Sequence, residues 1–453
     1  MASRMREAVV PAYLLLCLLL GGSVQGVWFN MILQLVGLAI VAWAALGSDE
    51  RPLIQPAWNL LLLILLGLAV IALQLVPLPA SIWPHLGGRE RLAAGFSALG
   101  VPVPPVAISL APHESLTAMF AMIPPIAVIC AMLRLRAYRS RWLAITLVAG
   151  TIVGILIGVL QVSGGAASPW YLYAETSRGL ATGFFANANH MATLLVATLP
   201  FLAALLASVR GGSAQQCSAM AALIVGLALV ILVGLALNQS LAGYLLAVPV
   251  ALASVMIVLP GRNRFRTISA MVSGTLLIIA IIALWVVPIG GHNLRGDVQS
   301  SVLSRQEILT TSIRATRDLL PFGSGAGTFR SAYQLYEDHD RLEKPIVNHA
   351  HNEYVEVAFE TGVPGLVVLG LFLAWWVSAA GRAWRSGVSP FARAASVASA
   401  AILAHSLVDF PLRTAAISTV FAMCLALLAQ PKVQRGHVRD SSELRPTRHL
   451  SWE

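Results

Sequence analysis

The sequence predicts an all-α integral membrane protein with about 12 transmembrane helices and a partly helical outer loop. Three observations carry this. Hydrophobic residue types make up 57% of the 453 residues and charged types 11%. A soluble domain carries about 25% charged residues, so this chain cannot cover a water-facing surface. Mean hydropathy is +0.78, which excludes disorder. Apolar runs near the length that crosses a bilayer recur along the chain.

Those runs fall at roughly 9–25, 27–46, 57–76, 116–133, 142–163, 187–208, 219–237, 240–259, 268–289, 355–379, 393–409 and 412–430. The first follows MASRMR and precedes GGSVQG, which mimics a signal peptide; its near-spanning length favours an uncleaved helix. Pro124-Pro125 should kink the fourth. No internal repeat is visible, so the chain reads as a single polytopic domain over 1–453.

The net charge is +10. With the N-terminus inside, most Lys and Arg fall in cytoplasmic segments, as in RLRAYRSR (134–141), GRNRFR (261–266) and a tail over 431–453. Positive residues stay inside. The basicity is therefore topological, and nucleic acid is not an expected partner. The four cysteines are far apart in or beside apolar runs, with no CxxC, so neither a disulfide framework nor a zinc knuckle is indicated.

Polar chemistry concentrates on the outer side, in loops over 77–115 (Pro-rich), 164–186 and 290–354. In SVLSRQEILTTSIRATRDLL (301–320), Ser304 and Glu307 read as a capping box. Val302, Leu309, Ile313 and Leu320 recur at helical spacing, giving an amphipathic surface helix. Arg305 would then stand in its first turn, where a helix already favours anions, as a phosphate-binding candidate. PFGSGAGTF (321–329) lacks the GK[ST] of a P-loop and reads as a tight turn feeding a helix near Thr328.

NHAHNEYVEVAFETGVPG (348–365) is the most informative stretch. His349, His351, Asn352, Glu353, Glu356 and Glu360 stand at the start of a membrane helix, where ionisable groups are costly and usually functional. Gly362 to Gly365 should kink that helix below them. His351 is the candidate general base, since a reference pKa of about 6.5 lets a neutral imidazole accept a proton near neutrality; its alternative is a helix-capping histidine. Glu337, Asp338, His339 and Asp340 lie nearby, but no spacing matches a closed ligand set, so no metal or other cofactor is expected. Arg178, Asp409 and Arg413 complete the outer candidates; Asp409 and Arg413 could also pair with each other. Asn187, Asn189 and His190 could simply cap a helix.

These residues resemble a family. NHAHNEYVEVAFETGVPG, preceded by PFGSGAGTF and followed by HSLVDFPLR (405–413), is similar to the O-antigen ligase-related family, which joins lipopolysaccharide ligases, surface-polysaccharide polymerases and protein O-oligosaccharyltransferases. The shared pattern is His351-Asn352, then Gly362 and Gly365; the hallmark segment would cover about 223–371. The resemblance implies a metal-independent, inverting glycosyltransferase of C-type architecture. Its donor would be an undecaprenyl-pyrophosphate-linked glycan at the periplasmic face of the bacterial inner membrane. Its acceptor would be lipid A–core, a growing glycan or protein. The catalytic histidine maps onto His351, assisted by Asn352, and an upstream arginine onto Arg305. Arg178, His349, Glu353, Asp409 and Arg413 are the substrate-binding candidates. One departure matters: where many members carry Ser-Arg-Gly, this chain has Ser240-Leu241-Ala242-Gly243, and Arg178 is the candidate substitute. Transport is disfavoured, because transporters place polar groups at the midplane of paired halves.

Overall fold

The computed structural model describes residues 2–23, 27–47, 52–136, 138–209, 213–259, 272–279, 298–337, 347–385 and 388–430, with the side chains of 2, 3, 27 and 298–305 excluded. The described chain is mostly helical. In order, it forms α1 (Ala2–Leu20), α2 (Val27–Leu46), α3 (Gln55–Gln74), α4 (Glu90–Ala98), α5 (Pro112–Ala121), α6 (Ile123–Cys130) and α7 (Ser140–Ser163). There follow α8 (Ala188–Ala207), α9 (Ala214–Asn238), α10 (Leu241–Val258), α11 (272–279) and α12 (Val298–Leu319). Last come α13 (Phe329–Tyr333), α14 (Glu353–Ala383), α15 (Pro390–His405) and α16 (Ala415–Ala429).

Among the described residues, 8 helices are long and apolar enough to cross a membrane. They match the expected runs from 27–46 to 240–259 and the run over 355–379. The other runs differ for local reasons. α1 begins with a polar turn, and most of 268–289 lies outside the described residues. α15 and α16 are helical but only 16 and 15 residues long. α5 and α6 break at Met122, just before Pro124-Pro125, because proline cannot supply the N–H that continues a helix.

α8, α15 and α16 form the buried centre, and small residues let their neighbours approach. A methyl group at Gly243 of α10 would lie 2.8 Å from Ala192 Cβ of α8. Polar contacts tie the helices together, as between Thr151 and Thr198 (2.8 Å) and from Trp376 Nε1 to Ser399 Oγ (2.9 Å).

The 77–115 segment carries regular structure of its own. It contains a short antiparallel pair, Pro77–Leu78 with Val106–Ala107, a departure from all-α. It also contains α4 and a buried arginine. Arg89 is 1% exposed and donates to the carbonyls of Gly87, Ile108 and Gly323. Burial with carbonyl partners alone lowers its pKa to about 10.

α12 corrects the expected capping box. It starts at Val298, so Ser304 and Arg305 lie inside the helix and the N-terminal argument for Arg305 is lost. The Arg305 side chain lies outside the described residues. The buried stripe also differs: Ser312, Ala315 and Leu319 face inward with Ile308, whereas Ile313 and Leu320 are exposed. α12 therefore packs beside the start of α14 through a small core that includes Phe329 and Phe359.

The glycine-rich turn locks α14. Gly323, Gly325 and Gly327 all have positive φ. The N–H groups of Ser324 and Gly325 donate to the carbonyls of Phe359 and Glu360 at 3.0 and 2.8 Å. Gln74 of α3 donates to the Phe322 and Glu360 carbonyls and accepts from Ala326 N–H. α14 kinks at Gly362, where φ is 58° and ψ is −147°. A Cβ there would sit 2.1 Å from the Pro321 carbonyl oxygen, so only glycine fits. α13 then starts after Thr328, as expected.

Candidate active site

The site lies at one end of the bundle, where α8, α10 and α14 begin and α9 and α15 end. Asn352 caps α14: its Oδ1 accepts from Tyr354 N–H and Val355 N–H, both at 3.0 Å. Its Nδ2 donates to the Leu407 carbonyl at 2.9 Å, fixing the start of α14 against the turn after α15. His351 precedes this cap with φ of 51°, a left-handed backbone that a non-glycine residue adopts at a cost. That conformation holds an imidazole 30% exposed, with Nδ1 3.6 Å from Asp409 Oδ1. At that length the contact is electrostatic rather than a hydrogen bond.

Asp409 is fully buried and highly partnered. Its Oδ2 accepts from Asn189 Nδ2 at 2.6 Å, and its Oδ1 accepts from Phe410 N–H at 2.9 Å. Asn189 Oδ1 in turn accepts from Ser240 Oγ at 2.8 Å. His190 Nε2, buried and without a hydrogen-bond partner, lies 3.9 Å from Asp409 Oδ1. Burial alone would raise the carboxyl pKa; His351 and the imidazoles of His190 and His405 outweigh it and hold Asp409 well below the usual carboxylate range.

Phe410 is the aromatic hub. The His349 ring stacks on it at 4.0 Å, and His351 and His190 meet it edge-on at 5.3 and 5.0 Å. His349 Nδ1 lies 2.8 Å from Glu356 Oε1.

Arg413 does not pair with Asp409. Its Nη2 contacts Glu360 Oε2 at 2.9 Å and Glu356 Oε1 at 3.2 Å. These carboxylates raise its pKa against the opposing effect of burial. Glu353 is likewise spent internally, accepting from Leu412 N–H at 2.8 Å. Arg178 is exposed, donating to the Ala166 carbonyl with its guanidinium over the Tyr171 ring at 5.5 Å. Its neighbour Ser177 accepts from Ala188 N–H, one residue before Asn189.

The structure thus brings His349, His351, Asn352 and Asp409 together, with Glu353 and Arg413 packed behind them. Asn187 is a helix cap, as its sequence context allowed. Asn189 and His190 do more, since both face Asp409. Phe410 carried no signal as a site residue, because its neighbours are distant in sequence. Residues 338–340 lie outside the described residues; among those described, no three His, Cys, Asp or Glu side chains gather as a metal site.

Arg382 and Arg385 stand at the far end of α14, and Arg134, Arg136 and Arg139 lie between α6 and α7. Arg139 Nε lies 2.8 Å from Glu7, and Arg136 donates to the Pro52 carbonyl. Along α14 the basic end and the imidazole-carboxylate end are therefore opposite.

No curated protein matches the chain. Residues 226–370 match the family model described as O-antigen ligase, from within α9 to within α14, and so include the His351-Asn352 pair, Gly362 and Gly365. The chain is therefore similar to the O-antigen ligase family over residues 226–370.

Proposed function

We propose that the protein transfers a glycan from undecaprenyl pyrophosphate to an acceptor hydroxyl at the periplasmic face of the bacterial inner membrane, as a ligase of surface-polysaccharide synthesis. One observation carries the reading: a partly exposed His351 imidazole faces the buried Asp409 carboxylate at the cap of a membrane helix. Asp409 orients the ring and stabilises the imidazolium that forms. His351 takes the proton of the acceptor hydroxyl. The hydroxyl oxygen bonds to the anomeric carbon as the carbon–oxygen bond to pyrophosphate breaks. The electron pair leaves on undecaprenyl pyrophosphate, and direct attack inverts the carbon.

The leaving group needs charge stabilisation more than protonation. Arginine stays charged and binds phosphate oxygens in bidentate fashion. Arg178 and Arg305 are our assignments for that task, without a metal. Arg413 is committed to Glu356 and Glu360, so its role is to hold the floor of the site. A twelve-helix, C-type arrangement and the basic end facing the cytoplasm complete the reading, consistent with positive residues staying inside.

The glycolipid profile of cells lacking the protein tests this. Accumulation of lipid-linked polymer with bare acceptor is expected. Accumulation of single lipid-linked repeats would make the protein a polymerase instead.

A further inference from the structure

The second imidazole of the 348–365 segment has no role in that reading, and its surroundings suggest one. Glu356 is buried, and Arg413 and the Ala350 N–H (3.0 Å) also meet its carboxylate. A carboxylate paired with a guanidinium only accepts hydrogen bonds. The proton of the 2.8 Å contact is therefore on His349 Nδ1. With its proton on Nδ1, the neutral ring presents Nε2 as an acceptor, on a side chain 16% exposed and stacked on Phe410. His351 Nδ1, by contrast, has no hydrogen-bond partner.

The charges around His349 decide what it meets. The carboxylates of Glu356 and Asp409 are buried here, and the guanidinium of Arg413 is shared between Glu356 and Glu360. A lone-pair nitrogen in such a corner repels a diphosphate, whose oxygens only accept. It suits a neutral hydroxyl, which donates.

The geometry points to His349 Nε2 as the group that binds the acceptor, taking a hydrogen bond from a second hydroxyl beside the one His351 deprotonates. This rests on the proposed transfer reaction. It makes the preferred acceptor a sugar, which offers neighbouring hydroxyls, rather than a serine or threonine side chain, which offers one. Proton and bond changes of the transfer are as given above; His349 only holds the acceptor.

The test uses the full-length protein in proteoliposomes, with labelled lipid-linked glycan purified from the cells that make it. Lipid A–core from those cells and a serine/threonine-rich peptide serve as acceptor probes. His349→Asn keeps a donor toward Glu356 and removes Nε2. It should raise the KM for lipid A–core about tenfold, the effect of one lost hydrogen bond, with kcat within about twofold and donor KM unchanged. His349→Gln, whose amide oxygen can replace Nε2, should restore much of the loss; it decides the matter if the Asn variant is not recovered folded. An unchanged acceptor KM in both variants, a fall in kcat alone, or wild-type transfer to the peptide but not to lipid A–core would overturn the assignment while leaving glycan transfer standing. Absence of transfer to either probe by the wild type would instead count against the proposed function itself.

Discussion

Asn189 Nδ2 donates to Asp409 Oδ2 at 2.6 Å across 220 residues of sequence, tying the start of α8 to the turn after α15. The bond fixes the carboxylate that His351 faces. It also joins residues on the two sides of the matched family segment, since neither Asn189 nor Asp409 lies within 226–370.

Asp409→Asn should therefore uncouple orientation from charge. The amide keeps the shape but loses the anion that stabilises a protonated His351, and transfer should fall about 10- to 100-fold with the protein still folded. The same variant has a defined pH signature. The folded-state pKa of Asp409 is depressed, so its contribution to stability is present above the unfolded value and is lost as pH falls toward the folded one. Thermal unfolding in detergent should show the wild type ahead of Asp409→Asn at neutral pH, with the gap closing below about pH 4. A gap that widens on acidification would reverse the sign of this argument.

Gly362→Ala should destabilise the protein by about 2 kcal/mol or more, because it adds a clash with the Pro321 carbonyl to a left-handed backbone. Unfolding temperature measures this directly; Gly370→Ala, where a Cβ meets open space, is the control.

Arg413→Leu should cost about 3 kcal/mol or more, since it leaves Glu356 and Glu360 buried without their guanidinium. The expected result is loss of folded protein from the membrane. A stable variant with weakened donor use would show instead that Arg413 binds substrate.

Arg178→Ala should leave folding intact, because its contacts are an exposed carbonyl and a ring face. Its effect belongs in the KM for the lipid-linked donor, by roughly threefold to tenfold. A donor KM equal to that of the wild type would remove Arg178 from donor binding.

Local features were legible in the sequence. The helix start after His351-Asn352, the break at Gly362 and the turn before Thr328 follow from residue types within a few positions of each other; the cap itself is Asn352 rather than the histidine. Eight of the twelve apolar runs coincide with helices long and apolar enough to span, among the described residues. α15 ends at His405, where the chain turns to present Asp409 and Phe410, so that run is shorter than its composition suggests. The start of α12 was misread because Ser304-x-x-Glu307 fits a cap equally well inside a longer helix. Its inward stripe was misread because Ser312 and Ala315 are small, and packing against α14 favours small residues over the larger Ile313. The partners of Asp409 and Arg413 were illegible, since each is chosen by helices far apart in sequence. Arg89 and Gln74 were missed for the same reason: both act through backbone carbonyls that no side-chain pattern reveals.

The most direct measurement is transfer of labelled lipid-linked glycan by purified wild-type and His351→Ala proteins in proteoliposomes, at equal amounts of folded protein. The account predicts transfer by the wild type and a loss of about 100- to 10,000-fold in the variant, the range that general-base help supplies. Near-normal transfer by His351→Ala would contradict it.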